Sequence, residues 1–353
     1  MCDEEIVQQL NILSDTELLY KEYYEAHDHR EILNSFLNKQ DKRYILENKI
    51  LIPEMLSADE QEKMISQLEG FDKDYYHRVS IHKYPCYLPP YEHVNHFFEI
   101  IYVLRGTCIH STIRSKDVMK KGDLCLISNG MRHSVFIDNA ESVVLDLRIS
   151  ISTMSDLFSL MLRSENTISL FFFQSLHSKN RSDYLLFHTT DDVEIKDRIL
   201  EMYNESRIND QYTSHLLNNM LNVMLIRLIR NHSVANAEST PQTDEAFKVI
   251  YYLTNHYLDT TLEKTAKTLG FSPAYCSRYI KSIIGLTYSQ LINKMRFEYV
   301  AKRLLTTNDS ITCISNSLGY ENPENFIRAF KKYFHMTPTQ YRRQASGISE
   351  RSF

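Results

Sequence analysis

Arg278 and Arg328 stand fifty residues apart, at matching positions of two segments that repeat one another. A guanidinium can bond the edge of a guanine through two parallel hydrogen bonds, so a duplicated arginine on a duplicated helix fits the reading of double-stranded DNA. Residues 269–290 (LGFSPAYCSRYIKSIIGLTYSQ) align with residues 318–340 (LGYENPENFIRAFKKYFHMTPTQ). Leu269, Gly270 and Phe271 match Leu318, Gly319 and Tyr320. After one inserted residue, Pro273, Arg278, Lys281, Thr287 and Gln290 match Pro323, Arg328, Lys331, Thr337 and Gln340, while Cys276 and Ile280 fall on Phe326 and Phe330.

Each repeat carries what a helix-turn-helix needs to aim such side chains. First helices are expected over residues 262–268 and 311–317, each with a small residue, Ala266 or Ser315, where two helices cross closely. Four residues later Gly270 or Gly319 allows the positive φ of a tight turn. Ser272 and Asn322 are favourable N-caps, and Pro273 and Pro323 take the first helical position, where a missing N–H costs nothing. The second helices then turn Arg278/Arg328 and Lys281/Lys331 outward. Between the units, residues 288–306 keep helical spacing through Leu291, Met295, Tyr299 or Val300, and Leu304. A helix of that length is about 28 Å long, close to the ~34 Å turn of B-DNA, so two recognition helices could enter successive major grooves.

Residues 262–343 resemble the DNA-binding domain of the AraC family of bacterial regulators. The second repeat holds Ile311, Ile314, Gly319, Tyr320, Phe326, Arg328, Phe330, Lys331, Thr337, Pro338, Tyr341 and Arg342 in the family's order. Ser315, His335, Cys276 and Ile280 depart from the usual alanine, glycine, leucine and phenylalanine. The resemblance implies that Ala274, Ser277 and Arg278 face bases in the first unit, with Tyr275 and Lys281 nearer the backbone. In the second unit it implies Glu324, Asn325, Ile327 and Arg328 on bases, and Lys331 and Lys332 on phosphates.

A second constellation lies upstream. Residues 89–106 and 122–133 resemble the two half-motifs of a cupin barrel, a frequent effector domain of AraC-type regulators. Strand alternation sends His93, Asn95, Phe97 and Glu99 to one face and His96 to the other. Metal-using cupins ligate through two histidines and a glutamate of the first motif and a histidine of the second. Here Asn95 replaces one histidine and Ser128 the second motif's proline, leaving His93, Glu99 and His133 as potential ligands. The resemblance implies an effector pocket of His93, Asn95, Glu99 and His133 for a small polar molecule such as a sugar, with no cofactor, metal or catalytic residue. The alternatives are a metal-dependent cupin enzyme fused to a DNA-binding domain, and an effector-free architectural DNA-binding protein.

The expected fold is therefore α+β and multidomain, a cupin-like β-barrel sensor plus an all-α DNA-binding domain of two helix-turn-helix units joined by a long helix. Residues 1–74 are expected as a helical extension, 75–151 as the barrel, 152–232 as a helical dimerisation region, 233–243 as a linker and 244–345 as the DNA-binding domain, with its units near 262–283 and 311–334. In residues 191–231 a wide apolar stripe of Leu216, Leu217, Met220, Leu221, Val223, Met224, Leu228 and Ile229 calls for a partner surface, its own barrel or a second copy.

Charge follows the same division. Residues 244–353 hold 15 Lys and Arg against 9 Asp and Glu, a net of +6, whereas residues 1–243 hold 25 against 36, a net of −11. Six dispersed cysteines with no two-residue spacing read as reduced thiols. Neither a leader-like N-terminus nor an apolar run of membrane-spanning length is present. The expectation is a cytoplasmic homodimer whose partners are promoter DNA, a small-molecule effector and, for an activator, RNA polymerase, with no membrane.

Overall fold

Leucine-rich, helix-spaced residues at the start of the chain form five helices: α1 (Asp3–Leu10), α2 (Asp15–His27), α3 (Arg30–Lys39), α4 (Lys42–Glu47) and α5 (Ala58–Leu68). The β-branched and aromatic runs that follow form β1 (Val79–Lys83), β2 (His93–Val94), β3 (Phe98–Arg105), β4 (Thr107–Thr112), β5 (Lys116–Lys120), β6 (Asp123–Ile127), β7 (Arg132–Phe136) and β8 (Val143–Ile149). Then come α6 (Ile151–Met161), α7 (Thr167–His177), β9 (Tyr184–His188), α8 (Val193–Ile208) and α9 (Thr213–Asn231). The last third is helical: α10 (Pro241–His256), α11 (Leu262–Leu269), α12 (Pro273–Ile284), α13 (Tyr288–Thr306), α14 (Ile311–Ser317), α15 (Pro323–Phe334) and α16 (Pro338–Ala345). This computed structural model describes residues 3–68, 79–161, 167–177, 183–190, 192–236, 241–320 and 322–345.

The chain divides into two units, residues Met1–Met161 with Ser182–Glu238 and residues Leu162–Arg181 with Ser239–Phe353. The first is built on two antiparallel sheets, ordered β1-β8-β3-β6-β9 and β2-β7-β4-β5. No ladder joins the two sheets among the described residues, so the barrel resolves into a five-stranded and a four-stranded layer. Phe98–Leu104 of β3 are all buried, because this central strand is covered on both faces. The N-terminal helices are more than an appendage. Tyr20, Tyr23, Phe36, Ile45 and Leu51 share one core with Ile101, Val103, Cys108, Ile127 and Val135 of the sheets. Glu17 links the two, accepting from the Cys86 N–H at 2.9 Å and pairing with Lys83 at 2.7 Å.

Three boundaries differ from the sequence expectation. The stretch 152–232 is not wholly helical, because Tyr184–His188 is an edge strand on β6 (Tyr184↔Ile127). That run, YLLFH, has no alternation of its own, and only pairing makes it a strand. The same stretch is also split, since α7 belongs to the second unit. The linker at 233–243 is shorter than its composition suggests. The Ala235 N–H donates to Leu186 O (2.7 Å), Asn236 bonds both Leu186 and Tyr184, and α10 already begins at Pro241. Of the remainder, 237–240 lie outside the described residues.

Of the two partners the apolar stripe of α9 left open, its own unit covers one side of it. Leu217, Leu221, Met224 and Leu228 are at most 2% exposed, so they belong to the first unit's own core, while Leu216, Val223 and Ile226 are 42–50% exposed. α9 packs on α8, β1 and α6. Residue 191, the first of the stretch that carries the stripe, lies outside the described residues.

Candidate DNA interface and a buried histidine cluster

Each recognition helix is set by local chemistry the repeat already carries. The Thr261 and Ser310 side chains cap α11 and α14 by accepting from the N–H groups of Lys264 and Cys313. Gly270 (φ 73°) and Gly319 (φ 78°) take the left-handed turn that leads to the second helix. Ser272 then accepts from the Tyr275 N–H, Asn322 from the Glu324 N–H, and Pro273 and Pro323 open α12 and α15. Ala266 and Ser315 are fully buried where α11 packs on α12 and α14 on α15. The matched Thr and Gln positions prove to be capping boxes. Thr287 and Gln290 bond reciprocally at the start of α13, and Thr337 and Gln340 do the same for α16.

The helix over Tyr288–Thr306 forms as expected and buries Leu291, Met295, Val300 and Leu304. In the second unit Phe326 and Phe330 pack with Phe297, Val300, Leu304, Ile314 and Leu318. Arg342 donates to Leu304 O and Asp309 O, which ties α16 to the end of α13 and the loop before α14.

These anchors leave one face of each recognition helix open. Ala274, Tyr275, Arg278 and Lys281 are exposed and Ser277 half-buried on α12; Glu324, Asn325, Arg328, Lys331 and Lys332 are exposed on α15. Ile327 is half-buried, as Ser277 is at the matching position of α12, and packs in part against the Phe326/Phe330 core. Arg328 donates to Asn325 Oδ1 at 2.5 Å, and Tyr275 stacks on Tyr279 and reaches Glu245.

One departure in the repeat carries strain. Where the first unit ends α12 with Gly285 (φ 78°), the second ends α15 with His335 at φ 59°. A left-handed conformation costs an L-residue with a Cβ about 1–2 kcal/mol. His335→Gly should therefore raise the stability of this unit by about 1 kcal/mol. An unchanged or lower thermal midpoint would show that the histidine side chain compensates.

In the first unit, His93, Asn95, Glu99 and His133 converge as their spacing suggests, each at most 5% exposed, while His96 points outward. Pairing of β2 with β7 sets His93 opposite His133. The Glu99 carboxylate accepts from Asn95 Nδ2 (2.7 Å) and meets His133 Nε2 at 3.0 Å. Candidate ligand atoms of His93, Glu99 and His133 lie within 4.8 Å of one another, close enough to share one divalent ion.

Two residues join this cluster that the sequence motifs did not flag. His110 on β4 is fully buried, its ring 5.5 Å from that of His133 and 4.8 Å from that of Tyr184 on β9. Neither ring nitrogen of His110 has a hydrogen-bond partner among the described residues. Burial, and next the charge of His133, pushes both His93 and His110 down to about 3, so these imidazoles are neutral. The signal for His110 was its inward alternation with Cys108 on β4.

No helix among the described residues is long and apolar enough to cross a membrane. Residues 265–344 match the family model described as a helix-turn-helix domain. An uncharacterized HTH-type transcriptional regulator of Staphylococcus aureus (strain MSSA476) is 25% identical over 207 residues, 55% of this chain and 28% of the relative. The uncharacterized HTH-type transcriptional regulator YtdP of Bacillus subtilis (strain 168) is 31% identical over 111 residues, 31% of this chain and 14% of the relative. The chain thus spans under a third of the length of either relative. Among solved structures, the C-terminal domain of AraT, a response regulator from Geobacillus stearothermophilus, is 35% identical over 33% of this chain and 95% of that one, with a TM-score of 0.28. The duplicated caps and turns, together with the family match, make residues 265–344 a helix-turn-helix domain of the AraC type.

Proposed function

We propose that the chain is a sequence-specific transcriptional regulator that grips promoter DNA through α12 and α15. The observation that carries this reading is the exposed Arg/Lys face repeated on two helices with the same caps, turns and buried anchors. A bundle built only to pack has no need to duplicate its outward cations. The basic charge of the last third acts through phosphate neutralisation, so affinity of the full chain should fall steeply with salt. Lys331→Ala should weaken all sequences alike and lower the salt slope by about one, as measured by fluorescence anisotropy. Affinity that stays flat between about 50 and 200 mM salt would rule the interface out.

The buried cluster of His93, Asn95, Glu99 and His133 we read as the effector site rather than a catalytic centre. Its donors suit a small polar molecule, and a ligand at 100 times its dissociation constant would add about 2.7 kcal/mol to the unfolding free energy. Thermal melts against polar metabolites, including sugars, test this; a panel without any shift in the first unit's melting counts against it.

A homodimer would use the outward face of α9. Leu216→Glu with Val223→Glu places charges there without entering the core, and should yield monomers in sedimentation. A dimer that survives both changes lies elsewhere.

A further inference from the structure

His93 and His133 are held alike. His93 Nδ1 lies 3.4 Å from the carbonyl oxygen of Tyr91, and His133 Nδ1 lies 3.2 Å from that of Met131, in each case the residue two positions earlier. A carbonyl only accepts, so it fixes the proton on Nδ1 and leaves Nε2 with a bare lone pair. At His133 that lone pair faces the Glu99 carboxylate, with Nε2 3.0 Å from Oε2 and both side chains buried. Two acceptors do not stand so close without a positive charge between them. Either the second proton of an imidazolium or a metal ion supplies it. A histidine whose Nδ1–H is tied to a backbone carbonyl while Nε2 turns inward is oriented as metal-binding histidines are.

Two further observations favour the ion. His110 lies across the β4–β7 ladder from Val135, two residues from His133 and on the same inward face. A proton on His133 would give neither buried ring nitrogen of His110 a partner. The 5.5 Å between the ring centres of His110 and His133 is close to what one ion imposes: two imidazoles on a tetrahedral ion, each nitrogen ~2.1 Å away, hold their centres about 5 Å apart. Asn95 Oδ1 is likewise buried without a hydrogen-bond partner among the described residues, and water or a ligand on the ion would donate to it. We infer that this cluster binds one divalent ion of the zinc type through His93, Glu99 and His133, with His110 as fourth ligand. Where Asn95 stands in place of a motif histidine, His110 restores the nitrogen from β4, a strand outside both cupin half-motifs. The His110 side chain must swing inward to join, since the atoms that lie within 4.8 Å of one another are those of the other three. Three imidazoles and one carboxylate suit Zn2+, Co2+ or Ni2+, whereas Mg2+ and Ca2+ take oxygen ligands. The inference rests on reading the cluster as the effector site and names the ion as what holds a small polar molecule there.

Calorimetric titration of the chelator-stripped full chain with Zn2+ tests the site. The chain should take up one ion, and excess Mg2+ should not compete. Glu99→Gln, which keeps the size of the side chain, should weaken uptake by about tenfold or more, and so should His110→Ala. Co2+ provides a readout that a merely structural His110 would not move. His110→Cys loaded with Co2+ should show a near-ultraviolet sulfur-to-cobalt charge-transfer band that the unaltered chain, with its own buried Cys108 and Cys125, lacks. If the stripped chain takes up no Zn2+, a proton sits between His133 and Glu99 and the inference is overturned. Uptake unchanged by Glu99→Gln belongs to surface histidines and overturns it equally. Uptake that Glu99→Gln abolishes but His110→Ala leaves intact, with no band in His110→Cys, removes His110 from the ligand set. The effector reading fails separately: a zinc-loaded chain whose melting no polar metabolite shifts would sink that reading and leave the metal site standing.

Discussion

Arg278→Ala and Arg328→Ala should each weaken binding to the selected DNA site by about 1–3 kcal/mol and relax preference at one or two base pairs only. The expectation follows from position. Both arginines are exposed on the outward face of a helix whose opposite side is pinned, α12 by Cys276 and Ile280 and α15 by Phe326 and Phe330. Truncation removes a two-pronged donor without disturbing either core, so the loss falls on base reading and leaves phosphate contacts in place. Because α13 spaces the two units by about 28 Å, the two sets of relaxed positions should lie roughly one helical turn, about 10 base pairs, apart. Selection with each variant measures this directly. Relaxed positions that coincide, or lie half a turn apart, would end the tandem-groove arrangement even if the chain still bound DNA.

Glu17→Ala should destabilise the sheet-bearing unit by about 3 kcal/mol. Glu17 is 4% exposed and is the point where the N-terminal helices fasten to the sheets, through the Cys86 N–H, Lys83 and the capping box with Ser14. Removing one member of a buried pair costs about 3–5 kcal/mol, and the lower figure applies because the Lys83 side chain keeps 15% of its exposure to water. Burial pushes the Glu17 carboxyl upward, but the Cys86 N–H, the Lys83 ammonium and the Ser14 N–H outweigh it and hold the group below its usual value. A depressed folded value means stability that is complete above the unfolded carboxyl's ~4.3 and is lost as pH falls through the folded value. Urea unfolding of the unaltered chain should therefore lose part of its stability between about pH 5 and the folded value, and Glu17→Gln should flatten that slope. A loss under about 1 kcal/mol for the alanine variant would mean that the helices are held by their apolar core alone.

The features legible in the sequence are those whose physics is closed within a few residues. Gly270 and Gly319 must take a positive φ, Ser272 and Asn322 must satisfy N–H groups three or two positions away, and Pro273 and Pro323 must begin a helix, whatever lies around them. That is why α12 and α15 begin at the expected residues, and why Arg278 and Arg328 emerge on open faces. The inward set His93, Asn95 and Glu99 was legible too, because strand alternation is a local rule.

What only the tertiary structure decided depends on contacts between distant residues. An apolar helix face does not say what will cover it, so α9 turned Leu221 and Leu228 into the core and left Leu216 and Val223 outside. YLLFH became a strand only because β6 offered an edge, and the extent to which Ile327 packs on the Phe326/Phe330 core was set by that core. The run of phenylalanines in α7 announces burial but not against which unit, and His110 reaches His133 only when β4 and β7 pair. Local propensity therefore determined the paired helix-turn-helix elements, whereas long-range packing, whose energy is set by partners far away in sequence, decided how the buried cluster is composed and to which unit α7 belongs.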